Sequence, residues 1–236
     1  MHEEMNTSKQ FQVALDGPAA SGKSTVARLL AGVLGGYYIN TGDMYRTIAW
    51  QCNVRGIDPD KAPEEVAAML QELELRYRID AGNRPQLYLN GAAVPQSEVR
   101  SPATAAIVSQ VARIPAVRQW LLERQRECTS LGIIIMEGRD IGTVIFPRAK
   151  YKFFVTASPM ERARRRMAQP GEVPPGTTLE QVAAAIAERD RIDSTRPIAP
   201  LKPAEDAETI VTDGLDADAV TALIADRIRR TEEEAG

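Results

Sequence analysis

Residues 11–24 read FQVALDGPAASGKS: a short run of apolar and β-branched residues ends at Asp16, and Gly17 to Ser24 follow in the pattern G-x-x-x-x-G-K-[ST]. The residues beyond carry a helical stripe. A strand that breaks into a glycine-rich turn and resumes as a helix curls its backbone so that N–H groups point inward at phosphate oxygens. The helix N-terminus adds a favourable dipole. Gly17, Pro18, Ala19, Ala20, Ser21, Gly22, Lys23, Ser24 and Thr25 therefore form a candidate cradle for a nucleoside triphosphate. Lys23 is placed to contact the β- and γ-phosphates, and Ser24 to hold Mg²⁺ directly or through water, with Thr25 beside it. With the correct element on each side, a chance glycine-rich turn is the poorer reading.

The rest of the chain repeats this alternation. FQVALD (11–16), IIIME (133–137), YKFFVTA (151–157) and TIVTD (209–213) read as strands buried on both faces. Val26, Leu29, Leu30, Val33 and Leu34 recur with helical spacing, and Gly35 follows as a stop. A last helix is expected from about Asp218 to Arg230, with Val220, Leu223, Ile224 and Ile228 inward and Arg227, Arg229 and Arg230 in its final turn. These features predict an α/β fold: an open parallel sheet with helices on both faces. LELRYRID, PQLYLNG and AAVP, within residues 73–100, alternate with period two and predict a small antiparallel insertion. It divides a core of residues 11–72 and 101–230. Ser101-Pro102 and Pro115 each open a helix. The Pro- and Gly-rich loop at 169–178 interrupts a basic helix and marks a short lid at about 160–190.

Composition removes several classes of function. A net charge of −3 and a pI near 5.4 argue against a general nucleic-acid or membrane-surface binder, so any anion site must be a local cluster of Arg and Lys. The only histidine is His2, in the polar leader of residues 1–10 that is expected to be flexible; His-dependent triads and most zinc chemistry are excluded. Cys52 and Cys128 stand in no metal spacing and read as reduced thiols. The leader is no signal peptide and no run reaches the length of a membrane span, so a cytoplasmic protein is expected, with no membrane partner.

The triphosphate loop serves switches and kinases alike, so a second polar site decides between them. No N-K-x-D and no L-S-G-G-Q stretch is present. Three segments are candidates. MEGRD ends a core strand with Glu137, Arg139 and Asp140, either as a salt-bridged strand end or facing a ligand. NTGDMYR starts a helix with Thr41 at the cap position, and Thr41 and Arg46 either face a ligand or are a cap and a surface arginine. In LEQVAAAIAERDRIDSTR the inward stripe Leu179, Val182, Ala183, Ile186 continues at the same spacing into Arg189, Asp193 and Arg196. An exposed i,i+4 pair would contribute only about 0.3–0.5 kcal/mol, whereas an inward charged face calls for a polar ligand. ERARRRM adds a basic helix whose four arginines cannot all aim at one point.

GPAASGKS, NTGDMYR, SQVARIPAVR, EGRDIGTVIFP, ERARRRM and RDRIDSTRPIAPLK together, from about Phe11 to Arg230, resemble the bacterial cytidylate (CMP) kinases of the nucleoside monophosphate kinase group. The resemblance implies phosphoryl transfer from ATP, with Mg²⁺, to CMP and dCMP, and makes the 73–100 insertion the monophosphate-binding unit. It implies that Arg46, Arg139 and Arg196 hold the acceptor phosphate, with Thr41 close by. Ser109, Arg118 and Asp140 would read the cytosine, and Arg189 and Asp193 the pentose hydroxyls. Arg162 and Arg166 would be lid arginines on the ATP phosphates, with Lys23, Arg139, Arg196 and Arg162 supporting transfer. A monomer is expected. Many members carry Gly-Lys-Gly where this chain has Gly22-Lys23-Ser24, and Asp where it has Asn40 and Glu137. Glu137 is read either as a support for the metal or as a partner of an arginine. The alternatives are a kinase for another acceptor, such as UMP, AMP or shikimate, and a nucleotide-responsive switch.

Overall fold

The computed structural model describes residues 10–169 and 173–234; the leader through residue 9, with His2, and the loop tip at 170–172 lie outside the described residues. In chain order come β1 (Gln12–Asp16), α1 (Lys23–Leu34), β2 (Tyr37–Asn40), α2 (Thr41–Arg55) and α3 (Pro63–Leu70). Then follow β3 (Leu75–Ile79), β4 (Pro85–Leu89), β5 (Ala92–Ala93), α4 (Gln96–Val99), α5 (Pro102–Val111) and α6 (Pro115–Glu127). The last third holds β6 (Ile134–Gly138), a π-type turn (Ile141–Ile145), β7 (Tyr151–Thr156), α7 (Pro159–Met167), α8 (Leu179–Thr195), β8 (Glu208–Val211) and α9 (Ala217–Glu233).

Among the described residues, β2-β6-β1-β7-β8 pair in that order as a parallel sheet. Its strands are apolar on both faces because both are covered. Val13, Leu15, Ile135, Phe153 and Val155 pack with α1 and α9, while Ala14, Ile134 and Met136 pack with α2 and α6 on the other side. The antiparallel unit β3-β4-β5 contributes Leu75, Leu87 and Leu89 to that second cluster. It is tied to the sheet by the Tyr77 hydroxyl, which donates to the Asn40 carbonyl at 3.2 Å. Ser101 caps α5 by accepting from Thr104 N, and Gly35 ends α1 at φ 64°.

Some expectations are corrected. Leu29 (37% exposed), Val33 (49%) and Leu223 (37%) lie at the rim of their helices, because the sheet buries a stripe centred on Val26 and Leu30 or on Val220 and Ile224. The last helix runs to Glu233, so only Arg230 lies in its final turn; Arg227 pairs with Glu208 at 3.1 Å and Arg229 with Asp226 at 3.2 Å. Thr41 is the first residue of α2 rather than its cap, which is Asn40; the Thr41 hydroxyl donates instead to the Glu137 carbonyl at 2.8 Å.

Two residues at the end of β1 set the geometry of everything above the sheet. The Asp16 carboxylate accepts from Ile141 N at 2.8 Å and Gly142 N at 2.7 Å, fixing the π-type turn that follows β6. Burial pushes its pKa up to about 6 against the opposing pull of those two N–H groups. Gly17 turns the chain at φ 146°, and a Cβ there would sit 2.0 Å from the Val155 carbonyl oxygen, so only glycine lets the loop cross β7 this closely. Asp16→Ala strips two buried N–H groups of their acceptor and should lower the unfolding free energy by about 2 kcal/mol or more. Urea denaturation with an unchanged m-value measures this, and a loss below about 0.5 kcal/mol would contradict it.

Candidate active site

A cavity of about 700 Å³ opens above the carboxyl ends of β1, β2 and β6, where parallel sheets place their ligands. Ala19, Ala20, Ser21, Gly22, Lys23, Ser24 and Thr25 line one side. Gly17 and Pro18 form the base of the loop instead: the Gly17 carbonyl accepts from Arg139 Nη1 at 2.9 Å and the Pro18 carbonyl from Lys23 Nζ at 2.6 Å. Lys23 also donates to Ser21 Oγ at 3.1 Å. Lys23 is 5% exposed, and burial, followed by repulsion from Arg139, brings its pKa down to about 7. Ala20 holds a left-handed conformation at φ 58°, backbone strain at the loop's crest. Ser24 Oγ donates to Glu137 Oε1 at 2.6 Å, so Glu137 serves the phosphate loop.

The opposite wall is charged. Arg46, Ser109, Arg118, Arg139, Asp140, Arg189, Asp193 and Arg196 all line the cavity, with Thr41 at its floor. The adjacent Arg139 and Asp140 do not neutralise each other. Arg139 Nε donates to Asp193 Oδ2 at 2.8 Å, while Asp140 accepts from Arg118 and lies 3.7 Å from Arg196. The salt-bridged and ligand-facing readings of this strand end thus describe the same groups: they are paired across elements, and the pairs face the cavity. The inward reading of α8 holds as well. Arg189 has its pKa drawn down to about 10 by burial and then by Arg139, and its Nε is buried with no hydrogen-bond partner among the described residues. Burial and then Arg118 also lower the pKa of Arg196. Cations gathered this closely make a strong anion site.

The lid arginines divide differently from expectation. Arg165 and Arg166 line the cavity, whereas Arg162 is 5% exposed beneath it. Arg162 donates to the Ala157 carbonyl at 3.0 Å and the Ala19 carbonyl at 3.2 Å, and pairs with Asp190 at 2.6 Å, bracing the phosphate loop from behind. Sequence reasoning passed over Arg165, which donates to Ser21 O at 3.2 Å and to Thr212. Its i+3 spacing from Arg162 was the available signal. It also missed Thr212, Leu215 and Asp216, the wall at the start of α9, which the carboxyl-end rule applied to β8 would have suggested. Arg100, bound to both oxygens of Asp43 at 2.8 and 2.9 Å, gave no sequence signal.

Mg²⁺ favours oxygen ligands, few of them from protein. The Ser24 hydroxyl and Glu137 carboxylate at the mouth of the loop fit that preference.

A family model described as "Cytidylate kinase" matches residues 13–230. The cytidylate kinase of Pelotomaculum thermopropionicum is 45% identical over 92% of this chain and 95% of its own. The bifunctional pantoate ligase/cytidylate kinase of Synechococcus elongatus is 44% identical over 90% of this chain, which spans 41% of that longer protein. Among solved structures, an uncharacterized protein from Eubacterium ventriosum shares the fold at 13% identity, with a TM-score of 0.50 over 94% of this chain and 99% of that one.

The Lys23 ammonium yields a pH dependence. Its pKa of about 7 in the open cavity must rise when a polyphosphate sits beside it, so affinity is full below pH 7 and falls as pH climbs from there towards the bound-state value. Calorimetric titration of a nucleoside triphosphate in two buffers of different ionisation enthalpy should show proton uptake at pH 8, absent in Lys23→Met. Equal affinity at pH 6 and pH 9 would contradict this.

Proposed function

The chain belongs to the cytidylate kinase family, and on that premise we propose that it transfers the terminal phosphoryl group of ATP, with Mg²⁺, to CMP and dCMP. The products are ADP and CDP or dCDP. The observation that carries this reading is a cavity, among the described residues, in which a phosphate loop faces a second cluster of buried and half-buried cations. One anion site suits the donor, the other a monophosphate.

Phosphoryl transfer asks little covalent chemistry of the protein; positioning and charge stabilisation dominate. Lys23 would meet the donor's β- and γ-phosphates, and Arg46, Arg139 and Arg196 the acceptor phosphate, each charge-assisted hydrogen bond contributing about 1.5–3 kcal/mol. Bound Mg²⁺ would neutralise phosphate charge, held through Ser24 and Glu137. Arg139 would exchange Asp193 for phosphate, leaving Asp193 with Arg189 for the pentose hydroxyls. Asp140, oriented by Arg118 and Arg196, would accept from the exocyclic amine of cytosine, with Ser109 beside it. Uracil would set a carbonyl against that carboxylate, and rejection by about 10⁴ is within reach of such a site. Residues 73–100 would act as the monophosphate-binding unit and about 160–190 as the lid, Arg166 and Arg165 reaching the donor phosphates while Arg162 steadies their loop. The cavity is lined from one chain and needs no second copy, which is compatible with a monomer. No described helix is long and apolar enough to cross a membrane, which is compatible with a cytoplasmic enzyme of pyrimidine metabolism.

An ADP-release assay over CMP, dCMP, UMP and AMP tests the reading. Turnover with CMP is expected; its absence, or equal rates with UMP, would overturn the assignment. Asp193→Ala should lower kcat/KM for CMP by about 10- to 100-fold, the value of one or two lost charge-assisted hydrogen bonds, with the KM for ATP within about twofold. An unchanged acceptor KM and kcat would remove Asp193 from the acceptor site.

A further inference from the structure

The β2–β6 register sets Tyr38 opposite Ile135 and Asn40 opposite Glu137. Side chains alternate along a strand, so Tyr38, Ile135 and Glu137 share the face covered by α1. Ser24 stands in the first turn of α1 and Arg28 one turn later, on the side that meets β2. The contacts that result are specific. Tyr38 Oη donates to Glu137 Oε1 at 2.7 Å, Ser24 Oγ donates to the same oxygen at 2.6 Å, and the Arg28 guanidinium lies over the Tyr38 ring, 5.5 Å from its centroid.

A buried carboxylate on a long side chain has rotamers to choose from, and this one is 6% exposed at the edge of the cavity. Two hydroxyl donors on a single oxygen select one of them. The Ser24 proton is thereby committed to Glu137, which leaves the lone pairs of Ser24 Oγ directed elsewhere. Ser24 itself is exposed to the cavity. Without the phenol, Glu137 would keep one tether instead of two, and Ser24 would lose the fixed acceptor that orients its proton.

We propose that Tyr38 is a positioning residue for the divalent cation that accompanies the donor nucleotide, acting through Glu137 on Ser24. The inference rests on the kinase reading above only in that a metal–nucleotide complex occupies the phosphate loop; it is independent of which acceptor is phosphorylated. Outer partners that orient a metal's ligands typically change metal affinity by about 10- to 100-fold when removed.

The test is nucleotide binding, with no turnover needed. ADP is titrated into the full chain by calorimetry at a series of Mg²⁺ concentrations and in EDTA. Tyr38→Phe should raise the Mg²⁺ concentration for half-maximal tightening by about tenfold, while ADP affinity in EDTA stays within about twofold. In a Ser24→Ala background the same substitution should add less than its full effect, because part of that effect runs through Ser24. The proposal is overturned if Tyr38→Phe leaves the Mg²⁺ requirement unchanged, if it weakens binding equally with and without Mg²⁺, or if its effect adds fully to that of Ser24→Ala. Should Tyr38→Phe fail to fold, Glu137→Gln must show the same shift. A wild-type chain whose ADP affinity ignores Mg²⁺ also overturns it, whereas phosphorylation of an acceptor other than CMP overturns only the preceding reading.

Discussion

Like charges held close in a low-dielectric cleft repel, and the upper surface of this sheet is organised around that constraint. Burial and then Arg139 lower the pKa values of Lys23 and Arg189, and burial and then Arg118 lower that of Arg196. A cluster of this kind is tolerable only with carboxylates interleaved, and Asp140, Asp193 and Glu137 supply them from two different elements. Arg139 is paired with Asp193 in the open cavity, and release of that pair would free a guanidinium for an anion. An anion entering such a site meets cations already desolvated and aimed, so the free energy of assembling them has been spent in folding.

The scaffold bears this load through backbone positions that leave little freedom. Asp16 pins the turn after β6, Gly17 allows the phosphate loop to pass over Val155, and Arg162 with Asp190 braces Ala19 from α7 and α8. Strand ends, loop and lid helices are thus linked by single hydrogen bonds and ion pairs rather than by a broad apolar interface. The lid's own apolar cluster is small, centred on Ala163, Val182 and Ile186. A segment with few buried apolar contacts opens at low free energy, which the proposed lid role would require.

Much of this was legible from residues. The strand–loop–helix unit around GPAASGKS was readable because its chemistry is local, and the parallel sheet because strands covered on both faces are apolar without alternation. The inward charges of α8 were readable because the stripe of Val182 and Ile186 continues into Arg189 and Asp193. What was not legible depends on distant pairing. Which of Arg162, Arg165 and Arg166 meets the cavity is decided by how α7 lies against the loop, and helical spacing offers either choice. Leu29, Val33 and Leu223 are rim residues because stripe width is set by the sheet beneath. Tyr38 looked like one more strand aromatic, and only the register between β2 and β6 reveals that its hydroxyl meets Glu137.

Glu137, Arg139 and Asp140 condense the account: one strand end points into three sets of partners, which on the proposed reading would be the metal, phosphate and base sides. A crystal structure of the chain with CMP bound tests that division most directly. It should show Arg139 moved from Asp193 onto the CMP phosphate together with Arg196, and Asp140 within hydrogen-bond distance of the exocyclic amine. CMP seated with its phosphate on Lys23, or with Arg139 still paired to Asp193 and Asp140 facing no part of the base, would contradict it.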